Sequence, residues 1–314
     1  EEVKKEYIKK GYQPVSAETI DFQAELTTLE KNDPTLRRES DGDPLVKPHS
    51  ATERLLNVMG GYRWREGNQK ITWQIEVPED GLYKIGIRVK QEWQDGVPSY
   101  RRIEIDDKVP FEEMLDYQFN YSTDWNTLEL CDANGNPYEF YLMAGTHTLS
   151  MTAKFGPMTE IIESINKDIL LLSDILLNIS LIAGSEPDPN YDYGFFNKIP
   201  NMKEDMQWLV DSMQWKYNEL KKMSGKLPAM ANNFLTIKTQ LEAMLRDPFS
   251  IAKKVGDLQS SQESLSNWYL ELQKSPLVID YFKVGPVTEK WGNKHSNIFQ
   301  RLGATIKNFI ASFW

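Results

Sequence analysis

The chain has 314 residues, a net charge of -10 and an apolar content of 40%. That length allows about two domains with real cores. The acidic balance argues against a nucleic-acid partner, which needs basic patches that this sequence lacks.

The first 19 residues are charged and read as a peripheral segment. From Ile20 to Ala153 the signals are mostly β. "ITWQIEV" puts Ile71, Trp73, Ile75 and Val77 on one face, and "LYKIGIRVK" puts Tyr83, Ile85, Ile87 and Val89 on one face. The "PEDG" turn between them reads as a hairpin connection. "YRRIEID", "YEFYLM" and "HTLSMTA" are further short strands, with turns at "DANGNP" and "AGT". Many short antiparallel strands at this spacing predict a sandwich or jelly roll.

At Met158 the period changes. Ile161, Ile162, Ile165, Ile169, Leu172, Leu176, Ile179 and Ile182 recur at helical spacing, with Gly184 as a stop signal. This apolar run is the best candidate for a membrane span. It is broken by Asn166, Lys167, Asp168, Ser173, Asp174 and Asn178, so no transmembrane segment is expected. After a loop, "SEPDPNYDYGFFNKIP", a second helix carries Met206 to Leu220 and a third runs from about Pro228 to Leu245. A fourth opens at Asp247-Pro248. Short links favour an antiparallel bundle; an extended coiled coil is the alternative, although no strict heptad holds throughout.

"PLVIDYFKVG" then reads as a lone strand at 277–284 among helices. A lone strand leaves its backbone groups unpaired, so it is expected to return to the sheet begun before residue 155. Leu277, Ile279 and Tyr281 form one face and Val278, Phe282 and Val284 the other, which suits a strand covered on both sides. The fold class is therefore α+β: an antiparallel β jelly-roll sandwich (20–157 plus 275–286) interrupted by an antiparallel helical bundle (158–274). A final amphipathic helix follows, from about His295 to Phe313 within 287–314. Its stripe is expected to dock on the bundle; binding at a membrane surface is the alternative.

"GLYKIGIRVKQ", "RRIEIDDKVPFEEM", "NPYEFYLMAGTHTLSM" and "PLVIDYFKVG" resemble the carbohydrate-binding-module-like jelly rolls of family 6 and 35 type. The version in large Gram-positive extracellular solute-binding lipoproteins of ABC sugar importers is the most similar. The resemblance continues into the helical stretch through "SEPDPNYDY" and the "DP" helix start. It implies an extracellular, surface-attached parent protein and a glycan or oligosaccharide as partner. The transporter-binding region of the same chain is a further implied partner. A single cysteine, Cys131, rules out an internal disulfide and suits either the cytosol or a Gram-positive surface. The start at Glu1 without methionine reads as a mature or excised piece.

Sugar recognition uses flat aromatic faces and nearby polar groups. Trp64, Trp93, Tyr121 and Trp125 are the candidate carbohydrate-binding rings, with Arg65, Gln94 and Asp124 as hydrogen-bonding candidates. The alternative is that these rings plug the sandwich; Trp73, on the alternating face, belongs to the core. The resemblance also implies a structural calcium held by Glu25 and Asp280, with Gln23 where a second acid is usual. A salt bridge for Asp280 is the other reading. No catalytic motif emerges: His49, His147 and His295 are scattered, and Glu112–Glu113 reads as a solvated pair. The expected function is a non-catalytic carbohydrate-binding or accessory domain of a solute-binding protein. A structural or protein-interaction module is the alternative, followed by a glycoside hydrolase.

Overall fold

The computed structural model describes residues 2–50, 52–291 and 294–295. It divides into two compact units. One comprises Glu1–Gln94, Pro98–Phe155 and Ser275–Trp314, and the other Asp95–Val97 and Gly156–Lys274. The final helix expected over 295–313 lies outside the described residues, His295 excepted.

The first unit is the jelly-roll sandwich. Its strands are β1 (Ile20–Gln23), β2 (Thr28–Lys31), β3 (Arg38–Glu39), β4 (Val58–Gly61), β5 (Lys70–Val77), β6 (Gly81–Gln91) and β7 (Ser99–Ile105). They continue with β8 (Tyr117–Phe119), β9 (Ser122–Glu129), β10 (Phe140–Leu142), β11 (Gly145–Lys154), β12 (Leu277–Pro286) and β13 (Lys294–His295). One sheet runs β13-β9-β6-β12-β4-β3, with β1 also on β12 and β10 also on β6; the other runs β2-β5-β11-β7-β8.

The late strand is thus central. β12 pairs antiparallel with β6 on one side and with β4 and then β1 on the other. Its backbone groups are satisfied by strands laid down more than a hundred residues earlier. The register to β6 shifts between Ile279 and Phe282. That extra residue, a bulge at Asp280–Tyr281, changes the phase of the strand. Leu277, Ile279, Phe282 and Val284 therefore all join one core, which corrects the two-faced assignment from strict alternation.

The hairpin expectation also fails. β5 lies in the five-stranded sheet and β6 in the eight-stranded one, so the "PEDG" turn carries the chain between sheets. Both runs alternate because both face the same interior, as in any sandwich. Nor is the N-terminal segment merely peripheral. A helix, α1 (Glu2–Lys10), leads to Tyr12, which stacks on Tyr141 at 3.6 Å, and Val15 is in the core.

A helical turn, α2 (Ala24–Thr27), links β1 to β2. The second unit holds α3 (Met158–Ala183), α4 (Phe195–Lys198), α5 (Met202–Met223), α6 (Ala229–Arg246) and α7 (Val255–Leu272). α4 is a short turn inside the expected loop. The "DP" start opens a 3-10 segment, Pro248–Lys254, before α7. α3 packs against α7 and α5, and α5 against α6. The link at 224–228 is short enough to make α5 and α6 antiparallel neighbours. Within this core lie Asp168 and Lys216, both fully buried, and their head groups meet directly. Ser212 Oγ donates to Asp168 Oδ1 at 3.0 Å and receives Lys216 Nζ at 2.5 Å.

Candidate functional site

The groove that best fits a ligand lies in the sandwich unit and has a volume of about 700 Å³. It is built from the tip of β4, the loop that follows, the end of β6 and the segment around β3. Two glycines shape it. Gly60 (φ +100°) lies so close to Leu277 O and the Trp64 ring that a Cβ would stand 2.6 and 2.8 Å from them. Gly61 (φ +81°) turns the chain again beside the Trp93 ring. The reversal leaves Tyr62 43% exposed at the rim. The Arg65 guanidinium stacks on the Tyr62 ring at 4.0 Å. Trp93, half-buried, forms another wall and packs on a small cluster of Val46, Val58, Trp125 and Val278.

The polar groups of the groove are held in place. Arg63 Nε meets Glu39 Oε1 at 3.1 Å. Lys90 Nζ bridges Asp41 at 2.7 Å and Glu92 at 3.0 Å. Gln69 Oε1 accepts the Arg65 and Glu66 N–H groups, both at 2.9 Å, and its Nε2 donates to Asp33. Hydrogen bonds from Thr35 and then Gln69 hold the Asp33 carboxyl below its ordinary range. Aromatic faces beside pre-oriented carboxylates and guanidinium groups suit a polyhydroxylated ligand.

The four expected rings separate. Trp93 lines the groove, and Tyr121 is half-buried between β8 and β9, away from the groove lining. Trp64 and Trp125 are 0% exposed and cannot stack on a ligand. Trp64 turns inward after the glycine pair, donates Nε1–H to Gln69 O at 3.0 Å, and meets Trp73 edge-on at 5.8 Å. Trp125 is not on a loop but on β9, beneath the groove. Of the hydrogen-bonding candidates, Arg65 lines the groove, whereas Gln94 is buried. Sequence reasoning missed Tyr62, Glu39, Asp41 and Glu92; the signal for Tyr62 was its place after Gly60-Gly61.

A second cluster is buried. The β1–β12 register sets Gln23 opposite Tyr281, which brings Glu25, on α2, near Asp280. Both carboxylates are buried, and Gln23 Oε1, both Glu25 oxygens and both Asp280 oxygens lack hydrogen-bond partners among the described residues. Arg88 Nε lies 2.9 Å from Asp280 Oδ2 but without the alignment of a hydrogen bond. Burial pushes Glu25 up to about 7. Burial likewise raises Asp280 to about 7; Arg88 and then the Lys47 backbone N–H oppose the shift, and the Glu25 charge adds to it. Five orphaned oxygens and no soft ligand form a donor set that fits a hard cation such as calcium. Glu25, Asp280 and Gln23 are the residues that would hold it. Among the described residues, no group of three or more His, Cys, Asp or Glu side chains forms a metal cluster. Carbonyl or water oxygens would therefore have to complete the shell.

His147 is packed: Nδ1 pairs with Asp106 at 2.6 Å and Nε2 with Met143 O at 2.7 Å. No helix among the described residues is long and apolar enough to cross a membrane.

Comparison with protein families matches residues 160–272 to the bacterial solute-binding protein, 4-helix bundle domain. No curated protein sequence matches the chain. Among solved structures, a family 35 carbohydrate binding module from Clostridium thermocellum aligns with a TM-score of 0.30 and 15% identity, over 44% of this chain and 88% of that one. A cycloisomaltooligosaccharide glucanotransferase from Paenibacillus sp. aligns with a TM-score of 0.29 and 17% identity, over 42% of this chain and 16% of that one. A GH26-CBM35 β-(1,4)-mannanase from Podospora anserina gives 0.28 and 14%, over 44% and 25%. The chain thus spans only a small part of either enzyme. It is a jelly-roll sandwich interrupted, between β11 and β12, by a helical segment that matches the four-helix bundle domain of bacterial solute-binding proteins.

Proposed function

We propose that the sandwich is a carbohydrate-binding accessory domain of an extracellular solute-binding protein that serves a sugar ABC importer. The groove carries this reading: Trp93 and Tyr62 supply ring faces beside the oriented polar groups of Glu39, Asp41, Arg63 and Arg65. The importer context draws on the family match of the helical segment. In this reading the rings stack on a pyranose while the carboxylates and guanidinium groups orient its hydroxyls. Surface attachment of the parent protein and the transporter-binding region as a partner belong to the same proposal.

We further propose calcium at Glu25 and Asp280, with a purely structural role. When bound, the ion would neutralise two buried carboxylates and tie α2 to β12.

Calorimetric titration of the chain and of Trp93→Ala with a panel of neutral oligosaccharides tests the first proposal. Saturable binding that weakens on loss of Trp93 is expected. If no glycan binds, or Trp93→Ala binds equally well, the groove is not a sugar site. The two buried tryptophans, Trp64 and Trp125, would then favour a scaffold that presents a surface to a protein partner.

A further inference from the structure

A second groove, of about 450 Å³, shares no lining residue with the first. It lies between α1 and the loops at 111–113 and 132–139 of the sandwich unit. Its walls are aromatic. Phe111 stacks on Tyr138 at 4.3 Å, and Tyr7 lies 5.6 Å from Tyr12, which is itself stacked on Tyr141.

Its charges do not balance. Glu113, Asp132 and Glu139 line it against one cation, Lys4. Lys4 Nζ is engaged by Glu139 at 3.0 Å. Asp132 accepts N–H groups from Asn134 and Asn136 at 2.9 Å and Asn136 Nδ2 at 3.0 Å, so it is held in place but stays negative. Glu113, read from the sequence as solvated, is exposed and makes no ion pair among the described residues.

The independent observation is Tyr138. It is 8% exposed, lines this groove, and its hydroxyl has no hydrogen bond of ordinary geometry among the described residues. Burial, then the Glu113 and Asp132 charges and the closeness of the Glu113 carboxylate to the hydroxyl, push its titration up to about 12. It therefore stays a neutral donor, and an unsatisfied buried hydroxyl costs about 1–3 kcal/mol. An acceptor oxygen on a ligand would relieve it.

We propose that this groove binds a small polyhydroxylated ligand bearing an ammonium group, an amino sugar. The ammonium would sit against Glu113 and the aromatic wall, where carboxylate attraction and cation–π attraction act together. A ligand hydroxyl would accept from Tyr138. An anionic sugar would meet two surplus negative charges. A metal ion is a poor fit, because the Asp132 oxygens are already committed to the Asn134 and Asn136 N–H groups.

The test is titration of the full chain with glucosamine, N-acetylglucosamine and glucose at low ionic strength. Trp93→Ala, Glu113→Gln and Tyr138→Phe are run in parallel, with circular dichroism to confirm folding. Glucosamine should bind wild type and Trp93→Ala alike and, by the size of one charge-assisted contact, about tenfold more weakly to Glu113→Gln. Tyr138→Phe should also weaken binding. N-acetylglucosamine and glucose should bind wild type more weakly than glucosamine does. Absence of saturable glucosamine binding overturns the proposal, as does equal affinity for Glu113→Gln or for the uncharged sugars. Loss of glucosamine binding in Trp93→Ala would assign the ligand to the first groove and overturn it too. Because Glu113 is exposed, its substitution leaves the fold intact. Failure here leaves the sugar reading of the first groove standing.

Discussion

Each unit buries carboxylate chemistry, and the two do it in opposite ways. In the helical unit, Asp168 is met by Lys216 and Ser212, and every charged atom has a partner within the bundle. In the sandwich, Glu25 and Asp280 are equally buried, yet among the described residues their oxygens lack hydrogen-bond partners, and Arg88 pairs with Asp280 at 2.9 Å out of hydrogen-bond alignment. Burial works against charge in both places, raising Asp168 and lowering Lys216 just as it raises Glu25 and Asp280. What differs is the answer to that penalty. A buried charge closed on its own partners is architecture. A buried charge left open is an invitation to something the chain does not supply.

The sharpest way to break this comparison is to open the closed site. Asp168→Ala strands an ammonium in an apolar core and should destabilise the bundle by about 3–5 kcal/mol. The double change Asp168→Leu with Lys216→Met removes both charges and should be neutral or stabilising. Denaturant unfolding followed by helical circular dichroism measures both. A mild effect of the single change would mean that water already reaches the pair.

The open site makes the opposite prediction, with a definite sign in pH. Without metal, Glu25 and Asp280 hold protons in the folded state up to about 7, while in the unfolded chain they release them near 4. Between those values the folded state binds more protons, so stability falls as pH rises from about 4 to about 7, by a few kcal/mol for two such groups. Calcium binds the charged form, so adding it should restore most of the loss near and above pH 7. Melting curves across this range, in chelator and in calcium, read both effects. Glu25→Gln should flatten the pH slope and abolish the calcium response. A calcium-independent melt that rises with pH would remove the case for a metal.

The same distinction explains what the sequence could and could not tell. The return of "PLVIDYFKVG" to the sheet was legible, because an unpaired strand has an obvious deficit. Its bulge was legible only in hindsight: apolar residues at 277, 279, 282 and 284 skip one place, around Asp280. The groove was half legible. Trp93 stood out as a tryptophan between two strand signals, but Trp64 and Trp125 stood out for the same reason and are core. Position on a loop says little about which way a ring turns. The Gly60-Gly61 reversal decides that Trp64 goes in and Tyr62 stays out, and that depends on how close Leu277, from the far end of the chain, approaches Gly60. The hairpin error has a similar cause, since alternation reports a buried face and not the partner strand.

A smaller effect tests whether the groove is a working surface rather than more packing. Trp93→Ala should weaken glycan affinity by roughly 1–2 kcal/mol, about five- to thirtyfold. Trp64→Ala should instead unfold the sandwich readily, losing about 3–5 kcal/mol of stability. If Trp93→Ala loses as much stability as Trp64→Ala, Trp93 is core and the groove is incidental.

The smallest effect is expected where charge is neither closed in nor left open but simply wet. On α5, Lys222 Nζ reaches Glu219 Oε1 at 2.7 Å, closer than many buried contacts, yet the lysine side chain is 69% exposed. Water reaches both groups, the lysine more than the half-buried Glu219, so the pair gains little by meeting and loses side-chain entropy in doing so. Glu219→Ala should change bundle stability by no more than about 0.5 kcal/mol. Even that should fade in high salt, because mobile ions screen charges that water already reaches. The Asp168→Ala effect should persist at the same salt, since ions do not enter that core. A Glu219→Ala loss comparable to that of Asp168→Ala would mean that distance, not desolvation, sets the worth of an ion pair in this bundle. The contrast between its closed pair and the open acids of the sandwich would then lose its physical basis.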